Sequence, residues 1–211
     1  MTGTTADARF WDRGARKYAR DAIKDMAGYE RTIERTRQYL KSDDIALELG
    51  CGTGTTALKL APSVSRLVGT DVSAEMVAIA KEKAVQANCG NVEFAVAPLD
   101  DAPWPDGTAD VVLAFNVLHL VARRPDALAR IARYLKPGGL FISKTPCLSE
   151  MNVLIRFAVP VMRAIGKAPY VEFFPASVLE DEVRGAGFTL VEKARHGSGA
   201  KDPRIFIVAR K

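Results

Sequence analysis

The sequence predicts an α/β fold, a single domain whose doubly wound sheet has helices on both faces. Short apolar runs alternate along the chain with longer stretches of helical period, the pattern of strands and helices taking turns in one layered core. The first of these runs, Ile45 to Leu49, ends in Gly50, Gly52 and Gly54 at alternate positions, and a helix follows from about Thr55. A glycine loop between a strand and a helix is where open α/β sheets receive ligands. A later run, Ala109 to Asn116, is apolar almost throughout, as a strand covered on both faces must be.

Bulk properties narrow the class. With 211 residues, 48% of them hydrophobic, one domain can bury a full sheet, and nothing marks a second. No segment reaches the roughly 18 apolar residues of a membrane span, and no signal-like apolar run stands near residue 1, so a cytoplasmic location is expected. Cys51, Cys89 and Cys147 are far apart and form no Cys-x-x-Cys pair, which predicts neither zinc nor a disulfide framework, and no metal. The formal charge of +5 is mild, without a basic run interleaved with aromatics, so no nucleic-acid partner is expected.

The elements follow in order. Phe10-Trp11-Asp12 leads into a helix from Arg13 to Arg20, and Tyr29, Ile33, Thr36 and Leu40 share one face of a second. The helix after the glycine loop runs from Thr55 to about Ala61, where Pro62 closes it. Strand two is Arg66 to Asp71. Ser73 then caps a helix from Ala74 to about Ala87, stopped by Asn88-Cys89-Gly90. Strand three is Asn91 to Val96 and strand four Ala109 to Asn116. Pro125 opens a helix with Leu128, Ile131, Ala132 and Leu135 on one face, and Lys136-Pro137-Gly138-Gly139 turns into strand five, Leu140 to Lys144. Pro146 to about Phe174 reads as an insertion. Its segment from Val153 to Ile165 is strongly apolar, broken by Pro160, with Arg156 and Arg163 on one face. A helix from Ala176 to Arg184 precedes strands Phe188 to Ala194 and Ile205 to Ala209, which a loop without a helix makes antiparallel.

Spacing selects the kind of ligand. A dinucleotide loop follows Gly-x-Gly-x-x-Gly. Here the third glycine comes one position early, Thr55 fills the dinucleotide slot, and Glu48 stands two residues before Gly50. A carboxylate there repels a pyrophosphate and suits a cation. Asp71, at the end of strand two, can accept bonds from both hydroxyls of a ribose. Asn116 ends strand four beside the glycine loop. His119 is the candidate base, because an imidazole titrating near neutrality can take a proton from a hydroxyl or acidic carbon; the competing reading is a histidine satisfied by a backbone group. His196 is expected to be exposed, and Cys51 to matter only as a small residue in the loop.

Glu48-x-Gly50-x-Gly52-x-Gly54, with Val72-Ser73-Ala74-Glu75-Met76, Pro103-Trp104-Pro105-Asp106-Gly107-Thr108-Ala109-Asp110-Val111-Val112 and Leu135-Lys136-Pro137-Gly138-Gly139, resembles class I S-adenosylmethionine (SAM) dependent methyltransferases. The likeness is to the type 11 small-molecule group that includes ubiquinone and menaquinone biosynthesis enzymes; it is good over residues 45 to 145 and loose at the two ends. It implies strand order 3-2-1-4-5-7-6 with the last strand antiparallel. It also implies SAM as methyl donor, S-adenosylhomocysteine as product, and a binding set of Glu48, Gly50, Cys51, Gly52, Gly54, Asp71 and Asn116. Val72 and Met76 would cover the adenine, although Met76 could equally be ordinary core, and the Leu99 amide would face the ring. Where Pro98 stands, the family often has an aspartate for the adenine amino group, so that group must bond Asp100, a backbone carbonyl or water.

The resemblance divides the chain into a helical lid (1–43), a cofactor core (44–145), an insertion or substrate lid (146–174) and a closing helix and hairpin (175–211). Tyr18, with Trp11-Asp12, looks like the lid's signature. It would touch the methionine part or the substrate, or it would merely anchor the lid. The apolar insertion favours a small, apolar or aromatic methyl acceptor. Other readings remain: a membrane-surface enzyme for a phospholipid or quinone, docked through 151–171; a non-catalytic SAM-binding module; and a nicotinamide dehydrogenase, which glycine spacing and Glu48 oppose.

Overall fold

The fold is built on seven strands: β1 (Ile45–Leu49), β2 (Arg66–Asp71), β3 (Val92–Val96), β4 (Ala109–Phe115), β5 (Leu135–Pro146), β6 (Thr189–Ala194) and β7 (Arg204–Arg210). The computed structural model describes residues 5–99, 102–151, 153–199 and 202–211. Within these the strands form one sheet in the order β3-β2-β1-β4-β5-β7-β6. β1 to β5 pair in parallel, while β7 enters antiparallel between β5 and β6. This is the expected architecture. The strand order reverses between β1 and β4, and the crevice such a reversal opens lies above their carboxyl ends.

Seven helices flank the sheet among the described residues: α1 (Thr5–Arg20), α2 (Met26–Arg37), α3 (Thr55–Leu60), α4 (Ala74–Gln86), α5 (Arg124–Tyr134), α6 (Leu154–Ala164) and α7 (Ala176–Gly185). Successive strand residues point to opposite faces, and the two cores show it. Phe141 joins Leu128, Ile131, Leu179 and Val183 under α5 and α7. Its neighbour Ile142 joins Ile33, Leu60, Val77 and Leu113 under α2, α3 and α4. Each fully buried side chain of this size contributes roughly 1.5–3 kcal/mol relative to exposure.

Several boundaries differ from expectation. Phe10, Trp11 and Asp12 lie inside α1 rather than ahead of it. Leu40 falls beyond the end of α2, although it still packs on the core. Pro62 sits within a 3₁₀ turn, Ala61–Ser63, that extends α3. The Lys136-Pro137-Gly138-Gly139 turn is absorbed into β5: Ala109 pairs with Leu135 and Val111 with Leu140, so residues 136–139 bulge from the ladder. A Cβ on Gly139 would stand 2.9 Å from the Asp110 carbonyl, which is why the bulge needs glycine there.

Two peripheral segments bear on the site. Ala15 of α1 packs on Met76 and Ile79 of α4, and Asp12 accepts the Ser73 hydroxyl at 2.6 Å and the Glu75 amide at 3.2 Å. The stretch after α6 is held by Arg124, which is buried, bonds both Glu182 oxygens at 2.8 and 2.9 Å, pairs with Glu172 and lies over the Phe174 ring. No residue of α6 is buried. No helix among the described residues is long and apolar enough to cross a membrane.

Candidate active site

The glycine loop turns under the chain that leaves β4. Gly50, Gly52 and Gly54 all have positive φ, a conformation that side chains resist. At Gly50 a Cβ would also stand 2.5 Å from Val117 Cγ2, and at Gly54 it would stand 2.8 Å from both Ala80 and Phe94. Gly54 therefore serves close packing against α4 and β3. It does not line the cleft. Cys51 is likewise turned into the core, its amide bonded to the Thr70 carbonyl at 2.9 Å. Burial, then the charges of Glu48 and Asp71, push its thiol pKa well up.

Asp71 ties the loop to α4. One carboxylate oxygen accepts the Gly52 amide at 2.9 Å and the other the Ser73 amide at 2.9 Å. Burial raises its pKa, and these amide bonds pull the other way. Gly50, Gly52, Asp71, Val72 and Met76 line one wall of a cleft whose empty space, counted to its mouth, is about 870 Å³. That volume suits a nucleoside-sized ligand. Pro98 and Leu99, after β3, line it as well, as do Asn116 and Val117 after β4. Met76 is both wall and core. Asp100, the alternative partner for the adenine amino group, lies outside the described residues.

Glu48 stands behind the loop, buried, with Oε2 lacking any hydrogen-bond partner among the described residues. Burial, then the nearby charge of Asp71, raises its pKa to about 8. A buried carboxylate without a compensating donor is costly. The pair of acids makes this corner a place for positive charge.

The remaining candidates divide. Tyr18 does not line the cleft; its ring is about half exposed and edge-on to Trp11 at 6.3 Å. Desolvation, then the charges of Asp71 and Glu48, raises the pKa of its hydroxyl. Asn116 takes a left-handed conformation, φ +53°, which asparagine tolerates. His119 departs from expectation. It sits in the 3₁₀ turn Leu118–Leu120, whose Leu120 lines the cleft while His119 does not. Burial lowers its pKa to about 4, so it does not titrate near neutrality, and its Nδ1 has no partner among the described residues. His196, expected to be exposed, is half-buried: its ring lies tilted against Phe206 at 4.6 Å and meets Thr32 at 3.2 Å.

Sequence reasoning missed the cleft's outer rim, Asp7, Val121, Pro169 and Tyr170. It also read Tyr29 only as a helix-face residue. Tyr29 bonds the Thr56 hydroxyl at 3.2 Å at the start of α3, close enough to Glu48 for that charge to raise its pKa after burial has done so. Only Tyr29 had a signal, the aromatic excess around residues 10–29; nothing local marks the rim, because its contacts are distant in sequence.

Residues 47–143 match a family model described as a methyltransferase domain. This segment is similar to a methyltransferase domain. It contains both the glycine loop and Asn116. Over 147 residues the chain is 33% identical to a ubiquinone/menaquinone biosynthesis C-methyltransferase of Geotalea daltonii, covering 64% of this chain and 62% of that protein. Over 137 residues it is 29% identical to phosphoethanolamine N-methyltransferase 3 of Arabidopsis thaliana, covering 62% of this chain and 28% of that protein. The chain thus spans less than two thirds of the length of these curated relatives. The YcgJ protein of Bacillus subtilis superimposes with TM-score 0.71 at 20% identity, over 86% of this chain and 98% of that one. A methyltransferase structure from Thermotoga maritima gives 0.72 at 20%, over 96% and 99%. At these identities the structures speak for the fold alone.

Proposed function

We propose that the chain is a SAM-dependent methyltransferase acting on a small, apolar or aromatic acceptor. The observation that carries the reading is Glu48, a buried acid with an unpartnered oxygen behind the glycine loop. A ligand with a cationic end supplies the compensation that this acid lacks, whereas a pyrophosphate would meet two buried acids. SAM, when bound, supplies an activated methyl on a sulfonium. Glu48 would hold its cationic end by electrostatics, Asp71 its ribose hydroxyls, and the walls at Met76 and Leu99 its adenine. Pro98 offers no donor or acceptor side chain, so backbone around Leu99 would meet the adenine edge. α1, pinned by Asp12 to the start of α4, would cover the cleft from outside.

The walls' task is to exclude water and align the acceptor with the methyl group, since this displacement needs little acid–base help unless the acceptor must lose a proton. Calorimetric titration with SAM, S-adenosylhomocysteine and NADH tests the reading. Binding of the two adenosyl ligands and not NADH is expected, and the reverse pattern would return the site to a dehydrogenase. Binding without turnover of any acceptor would make the chain a SAM-binding module.

A second reading concerns where the acceptor is found. Leu154, Phe157, Val161 and Ile165 are each more than 60% exposed and fall on one face of α6 and its end, with Arg156 and Arg163 opposite. A helix of this kind lies in the interface of an anionic bilayer. α6 leads directly into Pro169 and Tyr170 at the mouth of the cleft.

A further inference from the structure

A second cavity adjoins the cleft, with about 550 Å³ of empty space counted to its mouth. Asn116 lines both. Tyr29 and Thr56 form one wall of the second cavity and Phe115 and Lys144 another. Lys144 ends the parallel part of β5, opposite Phe115 of β4, and its carbonyl accepts the Asn116 amide at 2.7 Å. The side chain is buried, which is unusual for lysine. Its Nζ donates to the Thr32 hydroxyl at 2.7 Å and more weakly to the Gly28 carbonyl at 3.4 Å. An ammonium has three N–H donors, so among the described residues one is left for the cavity that Lys144 lines.

We propose that this cavity receives the methyl acceptor and that Lys144 binds the oxygen of a weakly acidic hydroxyl, a phenol or enol, as its anion. The inference rests on reading the first cleft as the SAM site. The apolar walls at Ile23, Ile33 and Phe115 suit a ring, and Lys144 is the buried cation beside them. Desolvation, then the charge of Arg204, lowers its pKa to about 8, while Asp202 and Asp25 oppose and Arg31 adds to the lowering. Arg204 also lines this cavity, but its guanidinium is bonded to Asp202 at 2.6 Å and Asp25 at 3.1 Å. Tyr29, on the wall of the same cavity, has its pKa raised by burial first, and His196, also near Lys144, has its own lowered by burial first and then by the lysine's charge. A neutral Lys144 accepts the hydroxyl proton on Nζ: the O–H bond breaks, an N–H bond forms, and the electron pair stays on oxygen. The product is an ammonium–oxyanion pair in a cavity that shares the wall at Asn116 with the cleft.

The test uses 4-nitrophenol, whose anion alone absorbs in the visible, added to the full chain saturated with S-adenosylhomocysteine at a pH below the free probe's own pKa. Binding opposite the ammonium should move the probe's apparent ionisation constant by about tenfold or more, read as a saturable gain in the visible band. Lys144→Met should abolish the gain while S-adenosylhomocysteine still binds within about twofold, a change of under ~0.5 kcal/mol. Ile23→Trp, at a partly exposed position that folding tolerates, should block the cavity and abolish the gain with Lys144 intact. No visible gain in the wild type, or an equal gain in both variants, overturns the proposal alone. Failure of S-adenosylhomocysteine to bind the wild type overturns the SAM reading with it.

Discussion

Asp71 reaches back across the glycine loop to accept the Gly52 amide at 2.9 Å, while its second oxygen takes the Ser73 amide. One carboxylate therefore fixes both the loop and the start of α4, and it faces the cleft between them. Asp71→Asn keeps the shape, but its amide nitrogen must face a donor. We expect a loss of about 1–3 kcal/mol in urea unfolding, the cost of one buried donor left unmet. SAM affinity should fall at least ~10-fold, about 1.4 kcal/mol. Stability lost with affinity unchanged would confine Asp71 to holding the loop.

Glu48 makes binding sensitive to pH. Its pKa is raised from 4.5 to about 8, so the native state binds an extra proton between those values, and its contribution to stability declines as pH rises through that window. A cationic ligand favours the carboxylate. SAM affinity should therefore rise with pH up to about 8, with up to one proton released per ligand bound. Calorimetry in buffers of different ionisation enthalpy measures that proton. In Glu48→Gln it should vanish, and a wild-type release of zero would place the cation away from Glu48.

Arg124 holds the stretch that closes the cleft. It is buried between Glu182 and Glu172 against the face of the Phe174 ring. Arg124→Ala strands two carboxylates and should cost about 3 kcal/mol or more in denaturant unfolding. Hydrogen exchange should quicken in 165–175 ahead of the sheet, since this segment has few other anchors. Uniform quickening would show that Arg124 serves the whole fold instead.

The exposed face of α6 sets a membrane test. The wild type should co-sediment with vesicles containing anionic phosphatidylglycerol more than with neutral phosphatidylcholine, and less so in high salt. Phe157→Glu, at a position 72% exposed, should abolish co-sedimentation with thermal unfolding unchanged. Unaltered binding by the variant would remove α6 from the contact.

The strands were legible because covered strands leave continuous apolar runs, and the glycine loop because its spacing is a local constraint. The use of each glycine was not legible. Gly50 yields to Val117 and Gly54 to Phe94, and these neighbours arrive from the turn after β4 and from β3. His119 misled for a related reason: a residue type announces chemistry, but burial set its pKa near 4. Lys144 looked like the ordinary polar end of a strand. Its burial follows from α2 crossing over β5, where Thr32 meets Nζ, and no local pattern announces that crossing.

The placement of β7 between β5 and β6 also sets an order of assembly. β6 leaves the ribosome first, yet it has no partner strand until β7 arrives to bridge it to β5. Until then β5 and β6 each carry an unpaired edge that β7 will later cover. A hairpin inserted late, with contacts distant in sequence, folds slowly and is exposed to aggregation while it waits. Substitutions in residues 204–210 that weaken strand pairing should therefore lower the yield of folded protein more than the stability of what does fold.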